Sequence, residues 1–223
     1  MAPGISTPGL SFLWNICGVY GVHFVVYTVY MLAESSSEKI ALASRRLLDR
    51  AGSDAVTMRR VAHAVGLTPM AIYRHYRDRD ALLNAVAEEG FRELADRLTR
   101  RGGSRDVEHQ LLALSEIFLD HALENPRLFE LMFLKPRSGA RKFPKDFKAG
   151  ESPTANVVAE VVAEGMKSGV FRPDDVWEIV FEIGALSHGL IMLYLGGRLG
   201  ASEHRFRDRY RRSFRRYIRG IRK

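Results

Sequence analysis

The run Gly66-Leu67-Thr68-Pro69 constrains this chain more than any other feature. A glycine closing a helix adopts the left-handed conformation without a Cβ penalty. A threonine two residues later is a good N-cap, and a proline directly after it occupies the first helical position, where its missing N–H costs nothing. The four residues therefore stop one helix and start another within a single tight turn. Val61, Ala62 and Val65 give the first helix an apolar face at helical spacing, and Ile72 and Tyr76 turn one side of the second back toward it. With Asp78 capping the helix that follows, Thr57–Leu83 reads as two short helices, a glycine turn and the start of a longer helix. This is a helix-turn-helix, an arrangement whose second helix enters a DNA major groove.

Thr57, Arg59, Val61, Ala62, Gly66, Leu67, Thr68, Ile72, Tyr73, His75, Tyr76, Arg79 and Leu82 fall at the spacing of a known pattern. The stretch resembles the DNA-binding region of the TetR family of transcriptional repressors, and the resemblance covers about a quarter of the chain. It implies an all-α fold, with an N-terminal three-helix helix-turn-helix domain and a C-terminal helical domain for ligand binding and dimerisation. The implied partners are a palindromic double-stranded DNA operator, an apolar small-molecule effector and a second copy of the chain. Two later runs, ALENPRLFELMF and ALSHGLIMLYLGGRL, resemble segments of one large branch of the family, the second keeping its His188-Gly189 pair.

Each residue of the motif has an expected task. Thr57, opening a helix, can direct its hydroxyl and the neighbouring N–H groups to a phosphate. Tyr73, His75 and Arg79 match positions that hold the DNA backbone in the family, and Thr68 is both a cap and a candidate phosphate contact. Base reading falls to Arg59 and to the exposed side of Pro69–Arg74. An arginine can chelate the O6 and N7 of guanine, whereas Pro69, Met70 and Ala71 offer apolar or backbone contacts, as to a thymine methyl.

Composition narrows the alternatives. The net charge of +8 suits a polyanionic partner. The single cysteine, Cys17, rules out an internal disulfide framework and fits a reducing cytoplasm. No Cys/His cluster has metal-ligand spacing, and there is no glycine-rich phosphate loop, nucleophile elbow or paired-carboxylate signature. No metal, no cofactor and no enzyme activity are expected. An enzyme or carrier using a pocket in the second domain remains an alternative without a residue cluster behind it.

Residues 1–33 differ from the rest: between Leu10 and Ala33 there is no Asp, Glu, Lys or Arg. That length can span a bilayer, and basic residues after it would keep the DNA-binding part in the cytoplasm as a membrane-tethered regulator. The competing reading starts translation at Met31, giving a short polar arm and then the first helix; a third makes the run a buried accessory segment. The expected boundaries are 34–82 for the DNA-binding domain, 83–103 for a connecting helix and 104–223 for the ligand-binding and dimerisation domain.

That second domain is helical throughout in pattern. Helices are expected over Val107–Glu124, from Asn125-Pro126 through Leu134 with Asn125 as cap, from Ser152-Pro153 to Gly169, over Trp177–Leu195 and over Glu203–Arg222. Lys135–Glu151 reads as a mobile basic loop whose charges face solvent. Phe118, His121, Met132, Phe133, Trp177, Phe181, His188 and Met192 fall on or near inward faces and are the candidate lining of an apolar pocket, with His121 as a hydrogen-bond donor. One face of the last helix is almost all arginine, which is expected to be solvated.

Overall fold

The computed structural model describes residues 35–100 and 106–223. The expectations for residues 1–33, and for the end of the connecting helix at 103, lie outside the described residues. Within them the chain is all-α, with no strand.

Helix α1 (Ser36–Ala51) opens with a capping box. The Ser35 hydroxyl accepts the Glu38 N–H at 3.2 Å, and the Ser35 N–H donates to Glu38 Oε2 at 2.7 Å. A 3₁₀ turn (Ser53–Ala55) leads to α2 (Met58–Val65), which ends at Gly66 with φ 68° and ψ 28°, the left-handed geometry expected of it. In α3 (Pro69–Tyr73), the Thr68 hydroxyl accepts the Ala71 N–H at 3.3 Å and Pro69 takes the first position. The second helix of the motif is thus shorter than its apolar spacing suggests. Arg74 and His75 form the turn that ends it, and Tyr76 packs on the core from beyond the helix. Helix α4 (Arg79–Thr99) is capped by Asp78, whose carboxylate accepts the Ala81 N–H at 2.7 Å.

After the second undescribed stretch come α5 (Val107–Glu124) and α6 (Pro126–Phe129), which widens into a π-helical turn over Glu130–Leu134. Next are a one-turn α7 (Lys145–Lys148), α8 (Pro153–Lys167), α9 (Val176–Leu195) and α10 (Glu203–Ile221). Asn125 does not cap α6. Its side chain instead donates to the His121 carbonyl at 3.2 Å and accepts from Arg45 of α1 at 2.7 Å, so it closes α5 and fastens it to the first helix.

Helix α4 is the spine. Leu82, Leu83, Val86 and Ala87 bury against Ile40, Val61 and Ile72 of the first three helices, while Phe91, Leu94 and Leu98 join Leu111, Leu128 and Val162. One apolar core runs through both halves, each fully buried large side chain contributing about 1.5–3 kcal/mol. Gly90 lets the π-turn approach α4: a Cβ there would lie 2.7 Å from Met132 Sδ. Gly165 on α8 is tighter still, since its Cβ would sit 2.1 Å from the ring of Phe171. The chain beside that ring is stitched to the end of α10 by Arg172 N–H to Ile221 O (2.9 Å) and Lys223 N–H to Val170 O (3.1 Å).

Helix α10 buries Phe206, Tyr210, Phe214, Ile218 and Ile221, a spacing of three and four residues that places them on one face. The buried Tyr210 hydroxyl donates to the Ser115 carbonyl of α5 and lies 3.0 Å from Ser187 Oγ of α9, joining three helices at one atom. The arginine face is not uniformly solvated. Arg207 pairs with Asp120, Arg211 with Glu116 and Arg222 with Glu108, three carboxylates along α5. Arg205, Arg209, Arg212, Arg215, Arg216 and Arg219 stay exposed.

Candidate DNA interface and effector cavity

The residues expected to meet DNA lie between Thr57 and Arg79, on α2, α3, the turns beside them and the first residue of α4. Arg59, Thr68, Pro69, Met70, Tyr73, Arg74 and His75 are exposed, and Thr57 and Ala71 half-buried. Met70, 68% exposed at the start of α3, is the most solvent-accessible large apolar side chain among the described residues. Nothing in the fold explains that exposure, whereas a base edge or thymine methyl would cover it. Thr57 and Thr68 each spend an oxygen lone pair on a cap, to the Arg60 and Ala71 N–H groups, and their hydroxyl protons remain available to an acceptor. Arg79 has a task inside the protein: Nε donates to the Val56 carbonyl at 2.8 Å and Nη2 to the Ser53 carbonyl at 2.6 Å. These bonds clamp the first turn of α4 to the chain entering α2, so the helix-turn-helix is fastened to the spine by a side chain as well as by the backbone.

Farther along, α4, α5, the π-turn, α8, α9 and α10 line a partly open cavity of about 250 Å³. Phe118, Met132, Phe133 and His188 line it, as do Phe91, Leu98, Ser115, Thr154, Val180, Ser187, Arg137 and Arg141. Four other sequence candidates lie elsewhere. His121 is 1% exposed, and the charges of Arg45, Arg97 and Glu93 reach it from α1 and α4. Trp177 packs half-buried on the core near the start of α9. Phe181 and Met192 are 49% and 48% exposed on the outer side of α9, where Phe181 stacks on Phe143 at 4.6 Å.

Aromatic edges build the inner wall. Phe133 meets Phe91 at 5.1 Å and His188 at 4.7 Å, both edge-on. His188 Nδ1 lies 2.6 Å from the Gly184 carbonyl. A carbonyl can only accept, so Nδ1 carries the proton and Nε2 is left as an acceptor. Burial holds this imidazole below its ordinary range, against a smaller opposing effect of the Gly184 bond, and keeps the ring neutral.

In the 135–151 connection, expected as a solvated basic loop, Lys135, Lys142, Lys145 and Lys148 are exposed, whereas Arg137, Ala140, Arg141 and Phe147 line the cavity. Arg137 donates to Asn84 Oδ1 (2.9 Å) and to the Leu131 and Met132 carbonyls (both 3.1 Å), and Arg141 forms a two-pronged pair with Glu88. No local pattern marks these arginines, because their partners Asn84 and Glu88 lie 53 residues earlier in the chain. Phe91 does carry a signal, lying one turn before the inward Leu94 on the α4 stripe.

Residues 40–86 match the model of the bacterial regulatory proteins of the tetR family, and residues 111–221 match the tetracyclin repressor-like C-terminal domain. The chain belongs to the TetR family. Members of this family are DNA-binding transcriptional regulators. An HTH-type transcriptional regulator of Mycobacterium bovis is 27% identical over 142 residues, 61% of this chain and 60% of that relative. An HTH-type transcriptional repressor of Mycobacterium tuberculosis is 36% identical over 74 residues, 30% of this chain and 40% of its own length. The chain thus spans about 60% of the length of the first of these curated relatives. Among solved structures, a protein of unknown function from Rhodococcus sp. RHA1 superposes with a TM-score of 0.72 at 26% identity, covering 86% of this chain and 98% of that one. A TetR variant from Acinetobacter baumannii, solved with minocycline, shares the fold at a TM-score of 0.61 and 20% identity, over 84% and 96% of the two chains.

Proposed function

We propose that this TetR-family regulator represses transcription by binding a palindromic operator as a homodimer, and that an apolar small molecule entering the cavity releases it. The observation that carries the reading is the double engagement of α4. Phe91 and Leu98 wall the cavity, while Arg79 fixes the other end of the same helix to the chain entering α2 of the DNA-reading pair. A ligand that prefers a different α4 position therefore displaces the helix-turn-helix, and releases DNA only to the extent of that preference. In this reading 34–82 reads DNA, 83–103 transmits and 104–223 binds effector and partner subunit.

Dimerisation is supported by α9, the one described helix long and apolar enough to cross a membrane by length and composition. Its inner face packs in the core, and Phe181, Met192, Leu193 and Leu195 remain exposed on its outer side. An apolar face of this kind fits a second copy of the chain better than water. Two copies also solve a specificity problem, since one five-residue recognition helix reads few bases and a dimer presents two of them about 34–36 Å apart. The regulator acts in the cytoplasm, where its operator is.

The test is an anisotropy titration of the full chain against the DNA flanking its own gene, at several salt concentrations, with Arg59→Ala and Tyr73→Phe alongside. Saturable binding to a short palindrome, steep in salt and lost in Arg59→Ala, is expected. Weak binding of equal strength on every sequence would sink the operator reading.

A further inference from the structure

The arginines of the cavity are more than its wall. The guanidinium carbons of Arg141 and Arg137 lie 5.2 and 5.9 Å from the centroid of Phe91 on α4. Arg141 grips Glu88, one turn earlier on that helix, with Nη1 3.0 Å from Oε1 and Nη2 2.5 Å from Oε2, while its Nε donates to the Glu151 carbonyl. Among the described residues Arg137 has no carboxylate within ion-pair distance, and its bonds go to one amide oxygen and two carbonyls. A guanidinium carries five N–H donors, and each arginine engages three of them among the described residues, which leaves two to offer there.

The charge count at this wall is lopsided. The lining carries two arginines and no carboxylate, Glu88 and Asp80 acting on them from outside it, and His188 is neutral. Burial opposes the charge on Arg137, and Glu88 and Asp80 only partly support it. A half-buried cation beside aromatic walls is stabilised by an anion brought in with the ligand, and the planar guanidinium fork matches a carboxylate.

We infer that the effector is an amphipathic carboxylate, its apolar body among Phe91, Phe118, Phe133 and Met132 and its head on Arg137 and Arg141 in competition with Glu88. The inference rests on the ligand-responsive reading above and gives it a chemistry. Glu88 belongs to the spine, so passing the Arg141 fork from Glu88 to the ligand unfastens α4 from the 135–151 connection. That exchange is a differential interaction of the kind a population shift requires.

The experiment compares decanoate with decanamide, a neutral probe of equal length, by titration calorimetry on the full chain. Decanoate is expected to bind about tenfold more tightly, equivalent to about 1.4 kcal/mol. The Arg137→Gln/Arg141→Gln double variant should erase that ratio. Glu88→Gln, which removes the competitor, should strengthen decanoate binding severalfold and leave decanamide unchanged. Equal affinities in the wild type, a ratio that survives the double variant, or failure of both probes to bind overturns the inference. Should the double variant not fold, the Glu88→Gln comparison decides alone. Operator anisotropy with each probe separates the two readings. Release by decanamide equal to that by decanoate sinks the carboxylate and keeps the ligand response. Selective decanoate binding that leaves operator affinity untouched keeps the carboxylate and sinks the ligand response.

Discussion

Mild acid is expected to destabilise this protein through His121, and the size of the effect follows from where that ring sits. It is 1% exposed on α5, and its Nε2 meets no hydrogen-bond partner among the described residues. Burial is the main cause that lowers its pKa from 6.5 to about 4; the charges of Arg97 and Arg45 add to the fall, and those of Glu93 and Glu124 partly offset it. The folded state thus takes up the proton less readily than the unfolded chain. Stability from this group is complete above pH 6.5 and is lost as pH falls from there to about 4. At about 1.4 kcal/mol per tenfold in proton affinity the whole interval amounts to roughly 3 kcal/mol, of which roughly 2 kcal/mol is gone by pH 5. Carboxylates held low by their partners, such as Glu124 beside Arg97, start from an unfolded value of 4.5 and weaken mainly below this window. His188 shifts in the same direction, so the decisive quantity is a difference between proteins. Urea unfolding at fixed protein concentration, at pH 7.5, 6.5, 5.5 and 5, would be run on the wild type and on His121→Leu, which fills the site without a titrating group. The wild type should lose about 2 kcal/mol more than the variant across the series. Parallel curves for the two proteins would refute the assignment of the acid sensitivity to this ring.

Other substitutions probe single contacts. Gly165→Ala pushes a methyl into the Phe171 ring, where the ideal Cβ is 2.1 Å away; a loss of about 1–3 kcal/mol is expected in urea unfolding, and an unchanged midpoint would show that the turn after α8 yields freely. Tyr210→Phe removes the hydroxyl shared by α5 and α9 and should cost about 1 kcal/mol, read as a drop in Tm, with no change in the pH profile described above. Arg79→Lys keeps the charge but cannot hold the Ser53 and Val56 carbonyls together; faster amide exchange at the start of α2 and about 1–2 kcal/mol of lost stability are expected, and an exchange pattern like that of the wild type would argue against the clamp.

What is legible in the sequence and what is not divides along the range of the interactions. The helix-turn-helix is visible because its signals are local. Thr57, Gly66, Thr68-Pro69 and Asp78 act on N–H and C=O groups within four residues of themselves, and each takes the expected geometry. The buried side of α10 is equally plain, since arginines separate its aromatic residues. Helix α9 is different: it is apolar nearly all round, so the 3.6-residue period has no polar side from which to take its phase. His188 and Val180 accordingly turn inward, and Phe181 and Met192 outward, for reasons that reside in the partners they meet. Arg137 and Arg141 carry even less local information. In isolation a basic loop belongs in water, and only the arrival of Asn84, Glu88 and Phe91 from another helix makes it a cavity wall.

The two-sidedness of α9 has a consequence for dosage. In the proposed homodimer, one side of this helix forms the wall of each effector cavity and the other meets the neighbouring subunit. A molecule that repositions α9 from within then alters how tightly the subunits hold each other, and dilution of the subunits alters effector affinity by the same factor. The effector level at which genes switch would accordingly depend on how many copies of the regulator a cell contains.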